Sequence, residues 1–277
     1  MLPSISSHYD ALAKGGGKRK RSASLAFGVR KFNNAVKRSL LAKFAPPGGV
    51  LLDLACGRGG DLDKWRASLG PSGTVYACDV SKESQREAVR RRKEAEERSG
   101  HGSFPRCTFA VSDAAHKACL TQFVPPPVRF DVVTCQFAAH YMWETAARAE
   151  AFVGNVAAQL RPGGRFLCTT VDGDVIEKRA ISGGGTFGNA LYKVRMRAAK
   201  DGRRAYEFSL VDCVDRCTEW VVPRPELVAL ARKHGLALDG VAPVPFLHFL
   251  PSLASFLSAS EREVVSLYCV YLFVKVP

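Results

Sequence analysis

Two acidic residues and a glycine-rich loop follow consecutive apolar segments, in an order that suits the binding of a nucleotide-like cofactor. The run "LLDLACGRGGDL" predicts a strand that carries Asp53 and ends in a loop with Gly57, Gly59 and Gly60. Glycines allow the backbone to turn tightly and to approach a ligand closely. Asp79 closes the next apolar segment, where an acidic side chain can bind ribose hydroxyls. The alternative for Asp79 is to cap the helix that begins at "SKESQ".

A cluster of planar side chains follows another apolar segment. The segment "VRFDVV" runs into "CQFAAHYMWE", which carries Phe137, His140, Tyr141 and Trp143. Aliphatic side chains would fill a core equally well, so planar and partly polar residues indicate a planar ligand. The alternatives are that Phe137 and Trp143 are core residues and that His140 is a structural histidine with satisfied hydrogen bonds.

Apolar runs alternate with helical stretches through the middle of the chain. This alternation predicts an α/β fold of the Rossmann type, with a mostly parallel sheet and helices on both faces. Such sheets bind ligands at the carboxyl ends of their strands, here after Leu54, Asp79, Asp113 and Phe137. The alternation breaks over about residues 172–222, where apolar and polar residues then alternate singly. That segment predicts an inserted antiparallel subdomain.

Charge and composition narrow the class of partner. Forty Lys and Arg against 26 Asp and Glu give a formal charge of +14, which favours a polyanionic partner. Residues 1–24 predict a flexible basic arm that serves as an import signal, an RNA contact or a solvated tail, and residues 25–277 a single catalytic domain. The cysteines form no CxxC pair, and no apolar run approaches the roughly 20 residues of a membrane span. We therefore expect an intracellular protein without a disulfide framework.

Two cofactor classes fit a glycine loop after a strand. A dinucleotide would place its pyrophosphate at the helix N-terminus, where Asp61 and Asp63 repel phosphate. By contrast, "AAQLRPGGRFLCTT" after "FDVV" resembles the class I S-adenosylmethionine (AdoMet) methyltransferases over residues 45–170. Their cofactor carries a sulfonium and an amino group but no phosphate. Ala55 departs from the family pattern, because many members have a glycine there.

Five stretches narrow the resemblance to one family. In this order, "VRKFNNAVK", "LDLACGRGGDLDKW", "CQFAAHY", "EFSLVDCVDRCTEW" and "SLYCVYLFVK" resemble the messenger-RNA cap guanine-N7 methyltransferases across nearly the whole chain. The resemblance implies a seven-stranded class I methyltransferase sheet and methyl transfer from AdoMet to N7 of the GpppN cap of RNA. It also implies no metal, a nuclear location, and other capping enzymes or the transcription machinery as further partners.

The resemblance assigns site residues position by position. AdoMet would be bound by Lys37, Asp53, Gly57, Asp79, Asp113 and the backbone near Gln136. Arg58 and Arg91 would face the cap triphosphate. The guanosine pocket would be lined by Asn33, Phe137, His140, Tyr141, Phe208, Glu219 and Tyr268. Ala115 replaces a tyrosine of some relatives, so part of one contact is supplied differently.

The chemistry of guanine agrees with these assignments. A flat base can stack on Phe137 and Tyr141, which is worth about 1–3 kcal/mol per base. A buried carboxylate at Glu219 can accept the N1–H and N2–H₂ donors of guanine, although strand alternation alone also allows Glu219 to face solvent. Guanine N7 bears a lone pair and no proton, so methylation needs positioning rather than a general base. No catalytic side chain is therefore assigned.

Three alternatives stay open from the sequence. The chain could methylate another nucleic-acid base or a small molecule, which would need neither the insertion nor arginines at a triphosphate. It could be a non-catalytic RNA-binding module, against which the intact Asp53, glycine loop and Asp79 argue. A nicotinamide dehydrogenase is disfavoured by the acidic residues after the loop.

Overall fold

The computed structural model describes residues 6–7, 9–10, 24–116, 120–121, 123–200, 202–240 and 243–277. Most of the predicted basic arm, residues 11–23, lies outside the described residues. Residues 6–7 and 9–10 are helical, and their side chains make contacts with the core of the fold that are described below. That part of the arm therefore differs from the flexible segment expected from the sequence.

The first long helix, α1 (Phe27–Phe44), packs one apolar face against the sheet. Its buried residues recur at spacings of three and four, which places them on one side of the helix; they are Val29, Phe32, Val36, Leu40 and Leu41. The helix ends before Pro46 and Pro47, because a residue that precedes proline is pushed out of the helical conformation. The helical pattern predicted this element, which carries Lys37 towards the site.

The central sheet contains the parallel strands β1 to β5. Their bounds are β1 (Val50–Leu54), β2 (Thr74–Asp79), β3 (Arg106–Val111), β4 (Phe130–Gln136) and β5 (Leu160–Val171). The helices between them are α2 (Leu62–Leu69), α3 (Lys82–Ser99) and α4 (Ala146–Gln159), with a 3₁₀ helix at Ala139–Glu144. Since β1 pairs with β2 on one side and β4 on the other, the chain reverses its winding direction there, and a crevice opens at the carboxyl ends of these strands.

Later strands complete this sheet. They are β10 (Leu236–Leu238), β11 (Val244–Pro245) and β12 (Tyr268–Lys275). The order is β10-β12-β5-β4-β1-β2-β3, with β12 antiparallel to β5 and the two-residue β11 also paired to β12. Within the described residues the sheet thus has the seven predicted strands plus β11. Neighbours such as Leu51 and Leu52 belong to different hydrophobic clusters, because successive side chains point to opposite faces.

A second, antiparallel sheet follows α5 (Gly173–Ser182). Its strands β6 (Thr186–Gly188), β7 (Tyr192–Lys200), β8 (Arg203–Leu210) and β9 (Val214–Trp220) pair in sequence order. The predicted insertion over about residues 172–222 is thereby confirmed as antiparallel structure. Strand β9 contacts the 3₁₀ helix that follows β4, so the insertion meets the central sheet beside the crevice.

Short helices close the fold. They are α6 (Arg224–Lys233), α7 (Phe246–Phe249), α8 (Pro251–Ala254) and α9 (Ala259–Val265). Helix α9 begins with a capping box, in which the Ser258 side chain accepts from the Glu261 amide and the Glu261 side chain accepts from the Ser258 amide. In the part of the chain that the structure describes, no helix has the length and apolarity to cross a membrane.

Candidate active site

The main cavity lies at the carboxyl ends of β1, β2 and β4 and has a volume of about 690 Å³. This volume falls within the range of roughly 300–1,000 Å³ that is common for small-molecule and cofactor sites. Its walls come from α1, the loop after β1, the ends of β2 and β4, and strand β9 of the second sheet. The sequence prediction of a site at these strand ends agrees with the position of the cavity.

The loop after β1 is left-handed at three positions. Ala55, Gly57 and Gly59 have φ values of 61°, 54° and 70°, a region that costs a non-glycine residue about 1–2 kcal/mol. A Cβ at Gly59 would meet Leu62 at 3.0 Å and Ala88 at 3.3 Å, so glycine is also required there by packing. Ala55, which stands where many family members have a glycine, therefore holds a strained backbone conformation beside the cavity.

Asp79 fixes this loop from the end of β2. Its carboxylate accepts from the Gly57 amide at 2.9 Å and from the Ser81 amide at 2.8 Å. Burial raises the pKa of Asp79 above its ordinary value, although these two amides oppose the shift. The N-cap of α3 is Ser81, whose side chain accepts from the Ser84 amide. The alternative that Asp79 caps this helix is therefore wrong, and Asp79 lines the cavity.

Asp53 lies beneath the cavity rather than on its wall. It is 2% exposed and accepts from the Thr134 hydroxyl at 2.6 Å. Burial, together with the nearby charge of Asp61, raises the pKa of Asp53. A carboxyl held in this way gains from a cationic ligand nearby, because the added positive charge would favour its ionised form.

Asp61 is not the bare negative charge expected from the sequence. Lys37 and Lys64 bind its carboxylate at 2.6 Å and 2.7 Å. Burial raises the pKa of Asp61, but the two ammonium groups outweigh burial and hold the pKa below its usual value. Asp63 has a side chain that is 75% exposed and does not line the cavity. The repulsion of phosphate by these two acids is thus weaker than the sequence suggested.

Asp113 and Gln136 also lie on the cavity wall. The Asp113 carboxylate accepts two bonds from the Arg148 guanidinium, at 2.8 Å and 3.2 Å, and both residues line the cavity. Gln136 accepts from the Thr169 hydroxyl at 2.9 Å, which orients its side chain. Arg148 was not found from the sequence, because nothing in its local pattern separates it from the other arginines on helices.

Phe137 turns the chain out of β4. Its φ is 60°, which is unusual for a bulky residue and marks a constraint imposed by the surrounding structure. The Phe137 amide donates to the Thr169 carbonyl at 2.8 Å, and its ring packs edge-on against Phe246 and Tyr268 with centroids 5.6 Å and 5.1 Å away. The Lys37 ammonium lies 5.9 Å from the ring. Phe137 lines the cavity and is therefore not a plain core residue.

A buried polar cluster lies behind the aromatic wall. Glu219 is 4% exposed, so the solvent-facing alternative is wrong. Its carboxylate accepts from the Tyr206 hydroxyl at 2.8 Å and from the Tyr141 hydroxyl at 3.4 Å. Burial raises the pKa of Glu219 to about 7, against the stabilising effect of these two hydroxyls.

His140 completes the buried cluster. Its Nε2 lies 3.5 Å from Glu219, yet neither ring nitrogen has a hydrogen-bond partner among the described residues. Burial lowers the pKa of His140 to about 3, so its imidazole is neutral. Buried polar groups nearly always have partners, and an orphaned imidazole beside a carboxylate therefore indicates a polar ligand. Trp143 is fully buried and donates to Glu226, which confirms the core alternative for that residue.

The N-terminal residues add a contact that the sequence did not predict. The Tyr9 hydroxyl lies 2.7 Å from the Tyr141 hydroxyl, and Asp10 accepts from the Ser81 hydroxyl at 2.5 Å. Ser6 and Tyr9 both line the cavity. The stretch "SSHYD" has neither helical periodicity nor a glycine signal, so only the tertiary contacts reveal its role.

The structure brings most of the predicted residues together. On the cavity wall lie Lys37, Gly57, Arg58, Asp79, Arg91, Asp113, Gln136, Phe137 and Tyr141. His140, Glu219 and Tyr268 lie behind that wall, in contact with Tyr141 or Phe137. Phe208 is buried in the second sheet opposite Cys217. Asn33 lies on α1, one turn before Lys37, and neither Asn33 nor Phe208 lines the cavity.

This arrangement can be compared with known proteins. Residues 3–253 match the family described as the mRNA (guanine-N(7))-methyltransferase domain. The chain belongs to this family. It is 34% identical over 252 residues to the mRNA cap guanine-N(7) methyltransferase 1 of Oryza sativa subsp. japonica, covering 84% of this chain and 65% of the relative. It is 32% identical over 281 residues to the mRNA cap guanine-N(7) methyltransferase of Saccharomyces cerevisiae, covering 94% and 62%.

The chain therefore spans less than two thirds of the length of these two cap methyltransferases. Solved structures agree with the fold. An S-adenosylmethionine-dependent methyltransferase from Clostridium acetobutylicum matches 97% of this chain and 96% of its own, with a TM-score of 0.56 and 15% identity. The magnesium protoporphyrin IX methyltransferase from Synechocystis matches 98% and 95%, with a TM-score of 0.55 and 15% identity. The class I methyltransferase fold predicted from the sequence is thus confirmed.

Proposed function

We propose that this chain transfers a methyl group from AdoMet to N7 of the terminal guanosine of GpppN-capped RNA. The observation that carries the proposal, beside family membership, is the position of Tyr141. Its ring lines the main cavity, and its hydroxyl donates to the buried Glu219. A cofactor-sized cavity and a buried site for hydrogen-bond donors therefore share one wall, as transfer between two bound molecules requires.

The residues on the cavity wall fit AdoMet. Each carboxylate oxygen can accept more than one hydrogen bond, so Asp79 can receive ribose hydroxyls in addition to the two amides that it binds. A Cβ at Gly57 meets no atom within 4 Å, so the loop leaves room for a ligand at that point. Lys37, Asp113 and the backbone near Gln136 would hold the remaining polar groups, and Asp53 would act from beneath the cavity through its charge. When bound, AdoMet supplies an electrophilic methyl group on a sulfonium.

The buried cluster fits the guanosine of the cap. Cys217 lines the cavity, and Glu219 lies two residues further along β9, on the same face of the strand. A guanine that enters past Cys217 and Tyr141 would present N1–H and N2–H₂ to the Glu219 carboxylate. His140 offers two ring nitrogens that have no partner among the described residues, and Phe137 with Tyr268 forms an aromatic surface. Asn33 and Phe208 keep their assignment to this pocket only as a prediction.

Positioning does the chemical work in this site. Guanine N7 needs no deprotonation, so the chain has to hold N7 in line with the methyl group, and such orientation is worth roughly 7–11 kcal/mol of barrier. The strained backbone of Phe137 fixes the aromatic wall against which the base rests. Neutral His140 adds no positive charge that would oppose the cationic product, and the Glu219 carboxylate favours that product.

Two arginines would receive the triphosphate. Arg58 follows Gly57 in the loop, and Arg91 lies on α3; both line the cavity. Arg91 donates to Glu87 at 2.7 Å, whereas Arg58 has no ion pair among the described residues. Arginine binds phosphate oxygens through charge-assisted hydrogen bonds, and such binding weakens as salt rises. A nuclear location and contacts with other capping or transcription proteins belong to the same proposal.

The decisive experiment is methyl transfer from labelled AdoMet to RNA that ends in GpppA, beside RNA that ends in a triphosphate. The product is digested to identify the labelled base. Label in 7-methylguanosine from the capped RNA alone supports the proposal. AdoMet binding without transfer to either RNA would contradict the cap assignment and favour another methyl acceptor. Absence of both binding and transfer would favour the RNA-binding module on the same scaffold.

A further inference from the structure

A basic groove leaves the main cavity between helices α1 and α3. It has a volume of about 1820 Å³ and is bordered on its third side by the second sheet. Arg58, Gly60 and Arg91 line both the cavity and the groove. The groove therefore starts at the two arginines assigned to the triphosphate, and none of the residues assigned to the guanosine pocket lines it.

Each of the two helices turns one polar face into the groove. On α1, Arg30, Lys31 and Arg38 line it, and on α3, Arg91 and Arg98 do so. The groove residues of α1 stand at positions 27, 30, 31, 34, 35 and 38, and those of α3 at 87, 90, 91, 94, 95 and 98. Spacings of three, four and seven recur in both sets, so the groove residues of each helix lie on one face. Lys31 to Arg38 and Arg91 to Arg98 each cover about 10 Å along a helix. The cations thus form two facing rows rather than a scattered population.

The groove carries positive charge that the protein leaves uncompensated. Among the described residues its wall has nine Lys or Arg against five Asp or Glu. Several of these cations are neutralised locally; Arg90, for example, binds Glu87 and Glu94. Five others line the groove without an ion pair to any residue that the structure describes: Lys31, Arg38, Arg58, Arg98 and Lys193. Unpaired cations concentrated in one groove attract a polyanion.

The groove also presents an aromatic surface. Phe27, at the start of α1, lines the groove and is 45% exposed. An exposed aromatic ring beside a row of cations is the combination used to bind single-stranded nucleic acid, since a base stacks on the ring and phosphates follow the charges. An acidic peptide would use the charges but would gain little from Phe27. The ring therefore favours RNA over an acidic protein partner.

We infer that this groove is the path of the RNA chain beyond the cap, with its phosphates on the α1 and α3 rows and a base on Phe27. The inference rests on the proposed function, because it takes the cap to lie in the main cavity. The first nucleotides after a triphosphate bound at Arg58 and Arg91 must leave through an opening beside those residues, and the groove is continuous with that point. The groove then sets the preference for capped RNA over a bare cap.

The test compares a short and a long substrate in the full chain. The charge-reversal variant is Lys31→Glu/Arg38→Glu. The matched control is Lys93→Glu/Arg129→Glu, which changes the net charge equally at exposed residues outside the groove. We measure KM and kcat for the GpppA dinucleotide and for a capped RNA long enough to fill the groove. Wild type and the control variant should show a lower KM for the long RNA than for GpppA. In the groove variant the ratio of KM for GpppA to KM for the long RNA should fall by about tenfold or more.

Salt dependence and the aromatic ring provide second readouts. If both cations contact phosphate, the slope of log affinity against log salt should fall by about 1.4 in the groove variant, at about 0.7 per phosphate of a single strand. Phe27→Ala keeps every charge and should weaken binding of the long RNA alone, by about 5- to 150-fold, because it removes one stacking surface. Polyglutamate and an uncapped RNA of equal charge are compared as competitors of the long RNA. If polyglutamate competes as effectively as the uncapped RNA, the assignment of the groove to RNA is overturned.

The outcomes separate the inference from the function on which it rests. One outcome is that all variants methylate GpppA and that the groove variant prefers the long RNA as strongly as the control does. This outcome overturns the inference that the groove binds RNA, and it leaves the proposed cap methylation unaffected. The same result follows if wild type has no length advantage. Absence of GpppA methylation by wild type overturns the proposed function, and the groove inference with it.

Discussion

The hydroxyl of Tyr141 lies 3.4 Å from the Glu219 carboxylate. This contact joins the wall of the main cavity to a buried acid of the second sheet. The Tyr9 hydroxyl lies 2.7 Å from the same hydroxyl. This distance is that of a hydrogen bond between the two hydroxyls. The N-terminal segment, the 3₁₀ helix after β4 and strand β9 are thus linked by hydrogen bonds that end at the Glu219 carboxylate.

Glu219→Ala should lower kcat/KM for cap methylation by about a hundredfold or more while leaving AdoMet binding intact. In the proposed pocket the carboxylate would accept the N1–H and N2–H₂ donors of guanine, and a site built for such donors loses about a hundredfold or more in kcat/KM when the acceptor is removed. We compare kcat/KM on GpppA and on the inosine cap IpppA, which lacks the N2 amino group. Wild type should prefer GpppA, and the variant should not discriminate between the two.

Circular dichroism and AdoMet titration provide the controls for this variant. Retention of the GpppA preference in Glu219→Ala would remove Glu219 from the cap pocket. Loss of AdoMet binding together with the folded signal would show instead that the carboxylate stabilises the fold.

Cap recognition should weaken below about pH 7. Burial raises the pKa of Glu219 to about 7 from an ordinary 4.5, so acidification protonates the group proposed to accept two donors from guanine. For stability the sign is opposite: the protonated form is favoured in the folded state, so this contribution is full below about 4.5 and is lost as pH rises through about 7. The measurement is kcat/KM for capped RNA against pH at saturating AdoMet, with Glu219→Gln as a variant that cannot titrate. An unchanged acidic limb in Glu219→Gln assigns it to another group.

Asp79→Asn should weaken AdoMet binding by about tenfold or more, because one neutral oxygen replaces two charged acceptors for ribose hydroxyls. The amide oxygen can still accept from one of the two backbone amides that Asp79 binds. Asp63→Asn is the matched control, since Asp63 is exposed and does not line the cavity. Calorimetric titration with AdoMet measures both variants, and equal affinities in the two would place the ribose elsewhere.

Tyr9→Phe should raise the KM for capped RNA without unfolding the protein. The change removes only the hydroxyl that lies 2.7 Å from Tyr141, and a net hydrogen bond is worth about 0.5–1.5 kcal/mol, or roughly two- to tenfold. Tyr9→Ala should have a larger effect because it also removes the edge-on ring contact with Tyr141. Steady-state kinetics on GpppA measure both. Wild-type constants in Tyr9→Ala would show that the N-terminal contact does not affect the site.

Ala55→Gly should stabilise the protein. The left-handed conformation of Ala55 costs about 1–2 kcal/mol for a non-glycine residue, and glycine removes this cost. Glycine also makes the unfolded chain more flexible, which lowers the free energy of unfolding by about 0.5–1 kcal/mol. The net gain of up to about 1.5 kcal/mol corresponds to a rise in Tm of up to about 6 °C. Ala67→Gly, at an exposed position inside α2, should instead lower Tm. A lower Tm for Ala55→Gly would show that the methyl group has packing value greater than its strain.

Much of the fold was predictable because its signals are local. The apolar period of α1, the alternation of strands and helices, and the single-residue alternation after Asp172 each depend on neighbours a few residues apart. The strand ends then follow, since parallel strands bring their carboxyl ends to one edge. Asp79, Phe137 and Tyr141 were found in this way, and family resemblance supplied Glu219.

The sequence by itself determined the class of fold, the edge of the sheet that carries the site and the chemical types that surround it. Only the tertiary structure decided which groups meet. The pairing of Asp113 with Arg148, the two lysines on Asp61, the docking of Tyr9 and the convergence of α1 and α3 on one groove all join residues far apart in the chain. Contacts of that kind arise from packing in three dimensions, so the periodicity and the loop composition of the sequence do not predict them.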